Sequence, residues 1–146
     1  MKRKHFWWIL VAAWCIFIFF KSNTPADISA AESSTITMAL NRFFDMLFGP
    51  GRIVVSDNLV RKTAHFIEYC ILGFIIFKAY FNKEKLLQTF WFSTIFAVLY
   101  AISDEIHQYF VPGRAMRATD VLIDSAGILL ATLLLYSREA RYQKAG

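Results

Sequence analysis

Three groups of ionisable side chains recur at helical spacing: Lys62-x-x-His65-x-x-Glu68-Tyr69, Asp104-Glu105-x-His107-Gln108 and Arg114-x-x-Arg117-x-x-Asp120-x-x-x-Asp124. Each stands at the end of an apolar run. A charge in a bilayer costs several kcal/mol, about 2.5 to 3.5 at a helix centre, so it is ordinarily paired and kept for a function. Lys62, Arg114 and Arg117 suit a phosphate, the arginines through paired N–H donors. Tyr69, His107, Gln108, Asp120 and Asp124 can orient those cations or hydrogen-bond a sugar or amide. His65, Glu68, Asp104 and Glu105 are the candidates for general acid and base chemistry, with His65 the best base; no cofactor is predicted, although the set has ligand types for a divalent metal. No HExxH, Gly-rich phosphate loop or nucleophile elbow accompanies them, so the reaction class stays open.

The elements that position these groups are membrane helices. With 57% hydrophobic and 17% aromatic residues concentrated in four apolar runs, the chain reads as one small all-α integral membrane domain over residues 1–146. Spans are expected at about 6–20, 64–81, 86–110 and 121–136. The first is short and has a basic start, Lys2-Arg3-Lys4, which also fits a signal peptide. Its tryptophans, Trp7, Trp8 and Trp14, favour an uncleaved span extended by snorkelling of Lys4 and Lys21.

The formal charge of +5 does not point to nucleic acid, because the basic residues flank apolar runs instead of forming a stripe. Clusters at Lys2 to Lys4, Lys78 to Lys85 and Arg138 to Lys144 predict that both termini face the cytoplasm, in the plasma membrane of a bacterium. The extracytoplasmic loop at 22–61 then holds an amphipathic helix over Thr35 to Phe48, with Ile36, Leu40, Phe43, Phe44 and Leu47 on one side, lying on the outer leaflet. Ser33 or Ser34 can cap it, and Gly49-Pro50-Gly51 stops it. Cys15 and Cys70 fall in apolar spans and are assigned to packing.

At about 100° per residue, Lys62, His65 and Tyr69 share a face of the second span, with Glu68 beside it. Asp104, His107 and Gln108 share a face of the third, and Asp120 and Asp124 one of the fourth, continued by the small residues Gly127 and Ala131. All three faces lie near outer ends, so they converge as a pocket open to the outer leaflet. The plainer alternative is snorkelling lysines, a helix cap at Asp120 and arginines on lipid phosphates. Glu68 and Asp124 resist it, because each sits about one turn inside its span and needs a partner.

The arrangement resembles the VanZ-like family of small bacterial membrane proteins. The matching stretches are Lys62-Thr-Ala-His65-Phe-Ile-Glu68-Tyr69 with Gly73, Tyr100-Ala-Ile-Ser-Asp104-Glu105-Ile-His-Gln108-Tyr-Phe-Val-Pro-Gly113-Arg114, and Asp120-Val-Leu-Ile-Asp124 with Gly127. Family members often carry paired serines after the first span, where this chain has Lys21-Ser22-Asn23, and often asparagine at the place of Asp124. The first departure weakens a role for Ser22, and the second adds an anion. The resemblance implies a link to glycopeptide resistance, teicoplanin in particular, through the family's namesake.

Site chemistry ranks the functions. The first is binding or modifying an anionic cell-envelope lipid or glycan at the outer leaflet, with membrane lipids, a lipid-linked cell-wall precursor or a lipoglycopeptide as partner. The second is a membrane-embedded enzyme of lipid-linked phosphoryl or glycosyl chemistry. The third is a small lipid or ion transporter, which has to oligomerise to make a path.

Overall fold

In the computed structural model, which describes residues 2–145, five α-helices follow one another without a strand. They are α1 (Lys2–Ser22), α2 (Ala26–Phe48), α3 (Asp57–Tyr80), α4 (Leu86–Gln108) and α5 (Ala118–Ala145). The side chains of Lys2 and Arg3, part of the basic cluster used above for orientation, lie outside the described residues.

Among the described residues, three helices are long and apolar enough, by length and composition, to cross a membrane: α1 over Lys4–Ser22, α4, and α5 over Ala118–Lys144. The fourth expected span falls in α3, whose N-terminal half carries Arg61, Lys62, His65 and Glu68 and so is less apolar than the others. Yet α3 is the centre of the bundle. It packs against each of the other four helices, and Tyr69, Leu72, Ile76 and Phe77 along it are wholly buried. It begins seven residues earlier than the 64–81 expected, because Ser56 caps it, accepting a hydrogen bond from the Leu59 amide.

Other boundaries move for similar reasons. Helix α4 stops at Gln108, two residues short of the expected 110, where the chain turns towards Gly113 with φ +74°. Helix α5 extends on both sides of 121–136, its C-terminal end carrying Arg138, Glu139 and Arg141.

Helix α2 starts at Ala26, not near Thr35, and Ser33 and Ser34 do not cap it. Their hydroxyls, with those of Thr35 and Thr37, donate to backbone carbonyls three or four residues earlier, so these residues ride inside the helix. The expected apolar face divides. Leu40 and Phe44 are half-buried beside the buried Thr37, on the side towards α3, while Ile36, Phe43 and Leu47 are exposed. After the Gly49 turn, Asn41 clasps the returning chain. Its side chain accepts from the Val55 amide at 2.7 Å and donates to the Val55 carbonyl at 3.1 Å.

The tightest contact in the bundle is between α3 and α5. A Cβ on Gly127 would fall 2.3 Å from the Phe66 carbonyl oxygen, and one on Gly73 would fall 3.1 Å from that of Ile128. Only glycine allows backbones so close. Helix α1 joins by polar ties: Trp14 Nε1 donates to the Glu68 carbonyl at 3.0 Å, and Tyr100 on α4 donates to the Cys15 carbonyl at 2.6 Å. Val11 and Ile18 of α1 are buried in the common core, with Cys15 packed against it. At the opposite end from the polar groups, Phe77, Leu86, Phe90 and Leu135 form an apolar cluster.

Replacing Gly127 with alanine should therefore push α3 and α5 apart. The expected cost is about 1 to 3 kcal/mol of overpacking, read as a lower melting temperature of the detergent-solubilised protein. Gly73→Ala should cost less, because its neighbours stand farther off.

Candidate functional site

The C-terminal ends of α1 and α4 and the N-terminal ends of α3 and α5 meet at one end of the bundle, which gathers all three ionisable groups. Beneath the surface lies a buried layer. Asp104 and Gln108 occupy successive turns of α4, and Gln108 Nε2 donates to Asp104 Oδ2 at 3.0 Å. The Ser22 hydroxyl donates to the same oxygen at 2.9 Å. Gln108 Oε1 accepts from Arg114 Nη1 at 3.1 Å, while Arg114 Nε donates to the Thr24 carbonyl at 2.8 Å and Nη2 reaches the Lys21 carbonyl at 3.5 Å. Three of the five guanidinium N–H groups of Arg114 are thereby used to tie down the end of α1.

The second half of the buried layer is less satisfied. Glu105, wholly buried, accepts from the Arg117 amide at 2.9 Å through one carboxylate oxygen, and the other has no partner. Asp124, also wholly buried, faces His65 with 3.6 Å between Oδ1 and Nδ1, and neither of its oxygens is hydrogen-bonded. The Tyr69 hydroxyl lies close to the Asp104 carboxylate but outside hydrogen-bond geometry. A native interior holds few such orphaned polar groups, and each calls for an explanation.

Above this layer open adjoining cavities. One, of about 60 Å³, is lined by Arg61, His65, Gln108, Arg114, Arg117 and Asp120. A second, of about 100 Å³, lies between Lys21, Glu32, Arg61, His65, Glu68 and Arg114. Lys62 and Asp120 flank a smaller recess that again includes Arg61 and His65. Arg61 is half-buried and its guanidinium makes no hydrogen bond or ion pair with any described residue. It stands close enough to repel Arg114, whose pKa is lowered below the usual arginine range by burial first and by Arg61 second. At the rim, Lys21 bonds Glu32 at 2.7 Å and holds its carboxyl below the ordinary carboxylate range.

Of the residues marked from sequence, Lys62, His65, Glu68, Gln108, Arg114, Arg117 and Asp120 line the cavities, and Tyr69, Asp104, Glu105 and Asp124 lie buried in the helices around them. His107 stands apart: it turns to α1 and stacks on Phe19 at 4.6 Å between ring centroids. Glu68 is half-buried, and its carboxylate makes no hydrogen bond or ion pair with a described residue, in place of the partner expected for it. Among the described residues no three His, Cys, Asp or Glu side chains are grouped to hold a metal ion.

Two residues escaped the sequence. Ser22 was discounted because the second serine of the family pattern is replaced, yet it is buried on Asp104. Arg61 is not among the residues marked by spacing, yet one helical position beside Lys62 turns it into the cleft.

A family model described as VanZ/LLP1 matches residues 7–139. No curated protein and no solved structure matches the chain.

Because Arg114 holds Gln108, Thr24 and Lys21 together, Arg114→Ala should loosen the corner between α1 and α2. Limited proteolysis should then cut faster near Asn23 to Pro25, and stability should fall by about 1 to 3 kcal/mol for the buried acceptors left unpaired. Arg114→Lys should rescue little, since an ammonium cannot span three separated acceptors.

Proposed function

The chain belongs to the VanZ/LLP1 family, and from that we propose that it is a four-span membrane protein whose cleft binds the anionic headgroup of a cell-envelope lipid or glycan at the outer leaflet. The observation that carries this reading is the pair Arg61 and Arg114. Two guanidinium groups line the same two cavities, and Arg61 makes no ion pair with a described residue. A half-buried cation without a partner is costly, and a phosphate supplies both charge and matching acceptors. Lys62 and Arg117 at the rim add to the attraction, and Asp120 between them limits it.

In this reading α3 is the fourth span. Its polar end is sheltered by α2, α4 and α5, and the rest of it is among the most buried surface of the protein. Helix α2 rests on the outer leaflet through Ile36, Phe43 and Leu47, which are exposed to whatever surrounds the bundle. The lipid's chains then lie along the apolar flanks while its headgroup enters beneath α2. Both termini are cytoplasmic, and α1 is a retained span, held by Trp14 and Tyr100. Resistance to teicoplanin-type glycopeptides follows if the bound lipid is a cell-wall precursor or surface component that the antibiotic also meets.

Arg61 is a better probe than Arg114, because it has no role in tying helices. Lipids that copurify in mild detergent, identified by mass spectrometry, should be enriched in a phosphorylated species. Arg61→Ala should weaken its binding about tenfold or more, the loss of one charge-assisted contact, without lowering the melting temperature. Bulk membrane lipid alone, in both wild type and variant, would sink the reading. Reporter fusions after Asn82 and after Gly146 should both read cytoplasmic; an external signal at either would invert the cleft.

A further inference from the structure

Binding alone leaves one pair of groups without a task. Asp124 is wholly buried, with His65 as its nearest charged partner at 3.6 Å. Buried carboxylates beside imidazoles fix the tautomer and orientation of the ring, and the contact is often loose until a substrate is bound. With Nδ1 turned to Asp124, the basic atom left to His65 is Nε2. No hydrogen bond from a described residue reaches it, Nδ1 being likewise without one at 3.6 Å from Asp124, and His65 lines all three cavities.

The cavities themselves narrow the substrate. The two larger ones share Arg61, His65 and Arg114, and each adds one cation of its own with carboxylates beside it: Arg117 with Asp120 in the first, and Lys21, bonded to Glu32, with Glu68 in the second. Two linked anionic groups match this arrangement better than one. Resting on the lipid-binding reading above, we infer that the cleft hydrolyses a lipid diphosphate, one phosphate in each cavity, with His65 as general base and Asp124 as its positioning residue.

The step uses water as the only co-reactant. The water oxygen bonds to the terminal phosphorus while His65 Nε2 takes its proton. The bond from that phosphorus to the bridging oxygen breaks, and the lipid monophosphate leaves with the electron pair. The proton on His65 then passes to the departing phosphate, so the products are lipid monophosphate and inorganic phosphate. Arg61 and Arg114 lie where charge builds on the phosphoryl oxygens.

The test uses the intact protein in mild detergent with magnesium present and farnesyl diphosphate as probe, measuring binding and phosphate release separately. Wild type should release phosphate. His65→Ala should bind the probe but lower kcat about 100-fold or more, and free imidazole should restore part of the loss, which a structural role would not allow. Asp124→Asn should lower kcat about tenfold with KM unchanged. His65→Gln serves if the alanine variant fails to fold, with size-exclusion profiles as the check. Probe bound but not hydrolysed, or hydrolysed equally well by the His65 variants, overturns the catalytic inference and leaves lipid binding standing. Probe not bound overturns it as well, and the binding reading falls with it only if no phosphorylated lipid copurifies.

Discussion

Everything at the polar end depends on how closely α3 and α5 approach. Gly127 puts the α5 backbone against the Phe66 carbonyl, and His65 and Asp124 sit on the adjoining turn of each helix. A side chain at position 127 would separate the helices at the level where imidazole and carboxylate face one another. The crossing therefore sets stability and site geometry together: a small residue was needed for packing, and its place in the register decides which polar groups meet. The same crossing positions α4, which packs on both helices and brings Asp104 and Glu105 to the cleft floor.

The two halves of that floor are satisfied to different degrees. Ser22, Asp104, Gln108 and Arg114 form a chain of bonds reaching from one helix end to another, and it acts as a joint. His65, Tyr69, Asp124 and one oxygen of Glu105 have almost no partners within the protein. Interiors of low polarity reward complete networks and penalise partial ones. The contrast separates residues that hold the bundle from residues with capacity left for something else.

Much of this was legible in the sequence, because apolar runs and 3.6-residue spacing are strong signals. The helices around 6–20, 64–81, 86–110 and 121–136 exist, and the three ionisable groups do meet at one end. What failed had local causes. The early start of α2 was hidden because Ser33, Ser34 and Thr35 read as a boundary, whereas back-bonding to the preceding turn lets them continue a helix. His107 was grouped with Asp104 by helical angle, but the aromatic face of Phe19 draws it to α1. Ser22 depends on a bond to Asp104 made across tens of residues, and Arg61 on a cleft whose other walls come from distant segments, neither of which periodicity can report. By hydropathy α3 is the weakest of the four expected spans, its polar half being covered by neighbours.

Below the cleft the interior changes character within a single turn. Leu72, Ile76, Phe77 and Ile128 are wholly buried and close the centre of the bundle, and the cluster of Phe77, Leu86, Phe90 and Leu135 seals its far end. The layer under the arginines is thus apolar apart from a few hydroxyls such as those of Thr94 and Thr132, which bond one another, so a charged group held in the cleft gains nothing by moving deeper.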